Sequence, residues 1–292
     1  MGRNVPAGMM SAMPGTLITV APTGAETSKA DCPQLPTTLD ELVAEAKACQ
    51  AAGAALIHVH IRDDEHRPSL DPGRLRATVE ALREQTDLVV QLSTGGSVHD
   101  PLERRLRVLD AEPDSCSLTC GSTNFGDEVF LNPFGFMSQL YVQAQQRQVV
   151  PEFELFDLGH VTALRRLIDA HGLPFGGRVH VDFVTGVPGG MPGTVPALVA
   201  GVQMLPPEVT SWSATGIGRA HLPIAAAALA MGGHLRVGLE DNLVFAKGQP
   251  VRDNAQLVER AALLADVMQR PALTCEESRS LLGVHDRRAA TR

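Results

Sequence analysis

His58 and His60 stand one residue apart in the stretch LIHVHIRDD, residues 56–64. In an extended strand, residues i and i+2 share a face. Both imidazoles then aim at one point, and Arg62 follows on that side. Two neutral imidazoles converging in this way can grip one metal ion. Taken alone, an HxH in a strand also fits a pair of satisfied polar residues. Much later, the stretch LRVGLEDN carries Arg236, Glu240 and Asp241. Arg236 precedes Glu240 by four residues, so an unbroken strand puts both on one face. Two histidines and one carboxylate leave coordination positions open, which is the arrangement of a catalytic zinc site. Mn²⁺ or Fe²⁺ would accept the same donors. The bland counterpart of LEDN is an acidic surface turn. An arginine beside two acids implies a paired network, because an unpaired ion inside a fold is costly. Its functional counterpart is a clamp for a carboxylate or a developing oxyanion.

Hydrophobic periodicity tells which elements must position these groups. The pattern predicts strands over residues 17–23, 55–62, 88–93, 115–121, 150–156, 178–185, 210–214 and 235–239. Between them it predicts helices over 39–52, 72–85, about 132–148, 161–171, 195–204 and 221–231, a helical turn at 104–109, and a last helix over 252–268. Thr38 or Asp40 can cap the first helix, and Gly53 ends it. Strict alternation implies parallel strands joined by crossovers. Eight such units close into a (β/α)₈ TIM barrel; a doubly wound open sheet is the alternative. No linker or low-complexity tract divides the chain. The expected organisation is therefore one barrel domain over 1–292, with a loose N-terminal tail at 1–15 and a C-terminal tail at 283–292.

Barrel enzymes work at the C-terminal mouth of their strands. Nearly every predicted strand here ends in polar residues. The first gives Glu26 in TGAET, the second His58, His60 and Asp63, and the third Ser93 to Gly96 in STGG. The fourth gives Ser117 and Thr119, and the fifth Glu152 and Glu154, with Glu154 nearer the mouth. The sixth gives His180, Asp182 and TGVPGG, the seventh TGIGR with Arg219, and the eighth Glu240 and Asp241. A purely structural barrel would not collect polar groups at so many mouth positions. The glycine-rich corners allow close backbone approach to a ligand, though each alone also reads as a tight turn. TGIGR lies where barrels often bind phosphate, but it is not the six-position dinucleotide fingerprint. Glu154 also reads as an inner salt bridge to Arg236 or Arg178. His180 reads first as a hydrogen-bonded core histidine and second as a fourth ligand.

Composition narrows the partners. The chain has 292 residues, 44% hydrophobic and 20% charged, with a formal net charge of −8; this is the profile of a soluble globular protein. No block of Lys or Arg suits nucleic acid or an anionic membrane. No apolar run reaches the ~18 residues that a membrane span needs. The start, MGRNVPAGMMSAMPG, lacks the apolar core of a signal peptide, and Gly2 lacks the following Ser or Thr of a myristoylation signal. Five cysteines form no CxxC pair, which fits a reduced, cytoplasmic protein. Cys116 and Cys120 read as small core residues.

Taken in order, TGAETSKADCPQLP, HVHIRD, QLSTGG, NFGDE, VVPEFELFD, GVPGGMPGT, GIGR and GGHLRVGLEDN resemble the β-keto acid cleavage enzymes, typified by the 3-keto-5-aminohexanoate cleavage enzyme of lysine fermentation. The resemblance runs from about residue 17 to 282. It implies a zinc-dependent (β/α)₈ barrel, commonly a homotetramer. The implied reaction converts a β-keto acid and acetyl-CoA into acetoacetate and a new acyl-CoA. By position, His58, His60 and Glu240 match the zinc ligands. Glu26, Ser93, Gly96 and Ser117 match substrate-contacting positions, and Arg236, Asp241 and Glu154 match the catalytic network. Ser117 stands where the family has Thr, keeping the hydroxyl and losing a methyl; Thr119 is its neighbour on the same face. The chemistry expected is proton removal by Asp241 to give a metal-stabilised enolate, attack on the acetyl thioester, and retro-Claisen cleavage by the released thiolate. Rival readings are a metal-dependent hydrolase, an aldolase working without CoA, and a small-molecule binding protein. A hydrolase of this kind would need further His or Lys ligands, where the middle strands offer Glu and Ser.

Overall fold

The structure is a computed structural model that describes residues 15–287. Eight strands alternate with helices: β1 (Ile18–Val20), β2 (Leu56–Val59), β3 (Val89–Leu92), β4 (Ser115–Thr119), β5 (Val150–Leu155), β6 (Val179–Thr185), β7 (Val209–Gly216) and β8 (His234–Val237). They close into one parallel barrel, each strand pairing with its neighbours in sequence and β1 with β8. The fold is thus the (β/α)₈ barrel and not the open sheet. The helices are α1 (Leu39–Ala51), α2 (Pro72–Gln85), α3 (Leu102–Leu106), α4 (Phe134–Gln146), α5 (Leu158–His171), α6 (Val195–Met204), α7 (His221–Ala230), α8 (Asn254–Val267) and α9 (Cys275–Leu282).

Local sequence explains the helix starts. Thr38 and Glu41 form a reciprocal capping box on α1. Asp71 caps α2, whose first position is Pro72. The period of two along the strands then sorts the layers. Ile57, Val59, Val90, Leu92, Leu118, Phe153, Leu155, Val181 and Phe183 join the apolar cluster under the helices. The alternate residues, among them Thr19, His58, Gln91, Ser117, Glu152, Glu154, His180, Asp182, Ser213 and Arg236, are buried polar groups of the barrel interior. Leu17, Leu56, Val89 and Val150 close the floor together with Leu273, Leu282 and Val284.

Three two-stranded ribbons decorate the loops and are absent from the sequence-based expectation. They pair residues 61–62 with 68–69, 123–125 with 128–130, and 244–246 with 249–250. The helix α9 is also an addition. The expected tails fall mostly on residues 1–14 and 288–292, outside the described residues. From 283 to 287 the chain is docked: Arg287 Nη2 donates to the carbonyls of Arg147 at 2.7 Å and Gln148 at 2.6 Å. No helix among the described residues is long and apolar enough to cross a membrane. All five cysteines are free thiols, four of them buried.

Candidate active site

At the mouth of the barrel lies a cavity of about 230 Å³ whose walls include Glu26, His58, His60, Ser93, Gly96, Glu154, Arg236, Glu240 and Asp241. Nine of the ten residues singled out in the sequence therefore meet around one space. One donor atom from each of His58, His60 and Glu240 lies within 4.8 Å of the others. The Nε2 atoms of His58 and His60 stand 3.9 Å and 3.8 Å from Glu240 Oε1.

Two features prepare this trio as a ligand set. His58 Nδ1 pairs with Gln91 Oε1 at 2.5 Å; Nδ1 must carry the proton for that contact, which leaves the Nε2 lone pair free. Burial, with Arg236 nearby, also pushes His58 down to about 3, and burial lowers His60, so both rings are neutral. Burial alone would raise Glu240, but Arg236 and the imidazoles hold it at about 2. Its Oε2 is buried with no hydrogen-bond partner.

Glu240 does not reach this place as a strand residue. β8 ends at Val237, and a turn follows in which Asp241 and Asn242 donate their N–H groups to Gly238 O at 3.1 and 3.0 Å. The same-face argument linking Arg236 to Glu240 thus gives the right neighbours by the wrong geometry. Gly238 is essential to the turn, since a Cβ there would stand 1.9 Å from Ala21 O. Gly24, at φ +63°, packs the TGAET segment against the Glu240 side chain.

Arg236 is the hub. Its Nε and Nη2 donate to the two oxygens of Asp241 at 3.1 and 2.9 Å. Nη1 reaches Glu154 Oε1 at 3.3 Å, and Nη2 also binds Glu240. Thr119 Oγ1 donates to the other Glu154 oxygen at 2.7 Å. Burial raises Asp241 to about 7, opposed by Arg236 and aided by the Glu240 charge. Burial likewise raises Glu154 to about 7, against the pull of Arg236. Three carboxylates share one guanidinium, so a divalent cation at the His58, His60 and Glu240 donors would balance the charge.

The remaining candidates are placed as follows. Ser93 lines the cavity, and its Oγ accepts from Gly95 N at 3.1 Å. Gly96 has φ +60°, and a Cβ would meet Asp100 Oδ2 at 2.4 Å. Glu26 sits on an exposed loop that Arg62 holds by donating to Gly24 O at 2.7 Å and Thr27 O at 2.9 Å. Ser117 stands apart from the cavity wall: its Oγ accepts from Thr94 N at 3.2 Å, behind the STGG corner. His180 is no fourth donor to the trio. Its Nδ1 pairs with Ser211 at 2.7 Å and its Nε2 lies 3.5 Å from Glu152.

Sequence reasoning missed three contributors. Gln91, a lone amide in VVQL and directly opposite His58 in the sheet, orients that ring. Its signal was a polar residue on the inward face of an apolar strand. Arg105 donates to Thr94 O and Leu131 O, both at 2.7 Å, and so ties the STGG corner to the loop that follows the 123–130 ribbon. Phe125, Phe130 and Phe156 make an aromatic wall with ring centroids 6.2–6.4 Å apart. Phe125 and Phe130 come from a ribbon that no periodicity foretells, whereas Phe156 follows directly on β5, within the strand expected over 150–156.

Comparison with known proteins finds clear relatives. The model of the beta-keto acid cleavage enzyme family matches residues 16–284. The chain is 38% identical over 270 residues to 3-keto-5-aminohexanoate cleavage enzyme of Acetoanaerobium sticklandii, covering 92% of this chain and 98% of that protein. It is 36% identical over 272 residues to 3-oxoadipate:acetyl-CoA acetyltransferase of Cupriavidus necator, covering 92% and 94%. Among solved structures, the binary complex of ObcA with oxaloacetate superposes with a TM-score of 0.74 at 20% identity, over 87% of this chain and 68% of that one. That likeness establishes the shared fold.

Proposed function

Since this chain belongs to the beta-keto acid cleavage enzyme family, we propose that it condenses a β-keto acid with acetyl-CoA and releases acetoacetate and a new acyl-CoA. One observation carries the reading. A convergent His58, His60 and Glu240 trio lies beside an aspartate clamped by an arginine, in one cavity. The names of the relatives supply acetyl-CoA as the co-substrate.

His58, His60 and Glu240 would hold one divalent ion, and the family resemblance favours zinc among the metals these donors accept. Bound there, it supplies Lewis-acid stabilisation of charge developing on carbonyl oxygens. Asp241 takes a proton from the carbon between the substrate's two carbonyl groups; burial raises this carboxyl above its usual range and so strengthens it as a base. Arg236 fixes that carboxylate through two hydrogen bonds, and Glu154 and Thr119 fix the far side of the guanidinium. The carbanion attacks the acetyl thioester carbon and expels CoA thiolate. The thiolate adds to the original keto carbon, the carbon–carbon bond breaks, and Asp241 returns its proton to the departing acetoacetate carbon. No step needs a protein nucleophile, in keeping with the buried thiols of Cys116 and Cys120, which burial pushes above their usual range. Ser93 and Gly96 offer the substrate a hydroxyl and an open backbone, Glu26 faces it from the rim, and Ser117 acts by holding Thr94 in place.

We read the whole chain as one barrel unit, cytoplasmic and assembled as a homotetramer. The free cysteines support the reducing compartment, and the family resemblance supports the assembly. Light scattering should give four times the 31.1 kDa chain mass; a monomer would reject the assembly. The deciding assay offers purified protein a panel of β-keto acids with acetyl-CoA and follows new thioesters by mass spectrometry. A chelator should abolish turnover, and zinc should restore it. Turnover of a keto acid without CoA would point to the aldolase or hydrolase reading instead.

A further inference from the structure

A second groove of about 570 Å³ opens beside the cavity, between the segment after β7 and the turn and ribbon after β8. The two share Ile217, Glu240 and Asp241 in their walls, so they adjoin. Three cations line the groove: Arg219, Lys247 and Arg260. On a chain of net charge −8, such a cluster calls for an account.

Arg260 is the informative member. Its Nη1 donates to Phe245 O at 2.6 Å, and its guanidinium carbon sits 4.2 Å from the centre of the Phe245 ring. This contact fixes the plane of the group. Its Nε and Nη2 are buried and have no hydrogen-bond partner among the described residues. Those two N–H groups form the edge of the fork that matches two oxygens of a phosphate. Leaving buried donors unpaired is costly, so a fixed guanidinium with that edge unused is built for an absent acceptor. Arg219 and Lys247 are exposed, and neither has an ion-pair partner among the described residues. By contrast, Arg67, Arg74 and Arg107, also exposed, are neutralised by Asp63, Asp64 and Asp110. His221 and Leu222, the first residues of α7, also line the groove. The loops after the seventh and eighth strands are also where barrels tend to hold phosphate.

We propose that this groove binds the phosphates of the acyl-CoA thioester, with Arg260 as the bidentate contact and Arg219 and Lys247 as flanking charges. The assignment rests on the acetyl-CoA dependence proposed above. It gives the co-substrate an entrance separate from the Glu26 side of the cavity, so keto acid and thioester approach from different directions.

The test uses the metal-loaded protein, Arg260→Met, and the surface pair Arg219→Ala/Lys247→Ala. Melting curves check that each variant is folded. Acetyl-CoA, acetyl-dephospho-CoA and S-acetylpantetheine are compared as co-substrates. Each variant should raise the KM for acetyl-CoA about tenfold or more, with kcat and the KM for the keto acid nearly unchanged. S-Acetylpantetheine should already be poor with the parent protein and be unaffected by the variants. A loss that appears with acetyl-dephospho-CoA places the 3′-phosphate in the groove; one that appears only with S-acetylpantetheine places the diphosphate there. Variants that shift all three thioesters alike, or none, would overturn the assignment. Titration with adenosine 3′,5′-bisphosphate adds a readout independent of turnover: binding by the parent and its loss in Arg260→Met supports the groove even where the function reading fails. Normal turnover with an unmoved KM rejects the groove and leaves the function standing.

Discussion

Gln91 decides which nitrogen of His58 is free. Replacing it with Leu keeps the volume near and removes the acceptor for Nδ1–H, so the ring loses its fixed tautomer and orientation. Metal affinity should fall about 10- to 100-fold, measured by competition with a chelating dye; an unchanged affinity would show that the amide does not orient the ligand. Asp241→Asn makes a different prediction. It should lower kcat about a thousandfold while the metal content stays at one ion per chain, because the trio lacks Asp241. Retained turnover would remove Asp241 as the base. At this scale the sequence was informative where a residue type is scarce in its surroundings. His58 and His60 in an apolar strand, and Glu240 and Asp241 after one, stand out and do converge. Gln91 was overlooked because an amide advertises no chemistry; only its place opposite His58 gives it a role. Ser117 shows the reverse. It has the right type, on a strand that reaches the mouth, yet its Oγ lies off the cavity wall and accepts from Thr94 N.

Elements bring these groups together, and Arg105 in α3 is the clearest case. Its guanidinium holds Thr94 O, Leu131 O and Asn132 Oδ1 while lying 4.7 and 4.6 Å from the Phe130 and Phe136 ring centres. Burial pushes its pKa down to about 10, so it stays charged at neutral pH. Arg105→Met should destabilise the protein by about 3 kcal/mol, through three acceptors left unpaired, and should raise the KM of the keto acid by loosening the STGG corner. Chemical denaturation measures the first effect and steady-state kinetics the second; a stability within 1 kcal/mol of the parent would show that α3 is not the staple. Strands and long helices were legible because their periods are continuous. Val195–Met204 and Pro72–Gln85 fall on the expected bounds. The ribbons were not legible, since two or three paired residues carry no period and their partners are set by the loops' packing. The same limit hid the aromatic wall, because Phe125 and Phe130 belong to a ribbon.

For the molecule as a whole, the polar barrel interior is stable only with particular protons in place. Glu152 lies under the site, and burial, with Asp182 beside it, raises it to about 8. A folded pKa above the unfolded value of 4.5 means that the folded state binds more protons between the two. The contribution is full below 4.5 and is lost as pH rises through about 8. Glu152→Gln mimics the protonated form at every pH. Its Tm should therefore exceed that of the parent by a margin that grows from pH 5 to pH 8; a constant margin would show that Glu152 is ionised in the fold. Alternation of eight strands and helices made the barrel legible from the sequence, but closure adds something that no local pattern contains. The seam where β1 joins both β2 and β8 makes neighbours of residues from opposite ends of the chain. During synthesis on the ribosome the imidazole pair emerges early, whereas Glu240 emerges only after every barrel strand has been made. A growing or truncated polypeptide therefore owns two donors and lacks the third. At the proposed metal site, the complete set of three donors would exist only once translation has run past the last strand and the sheet has zipped shut.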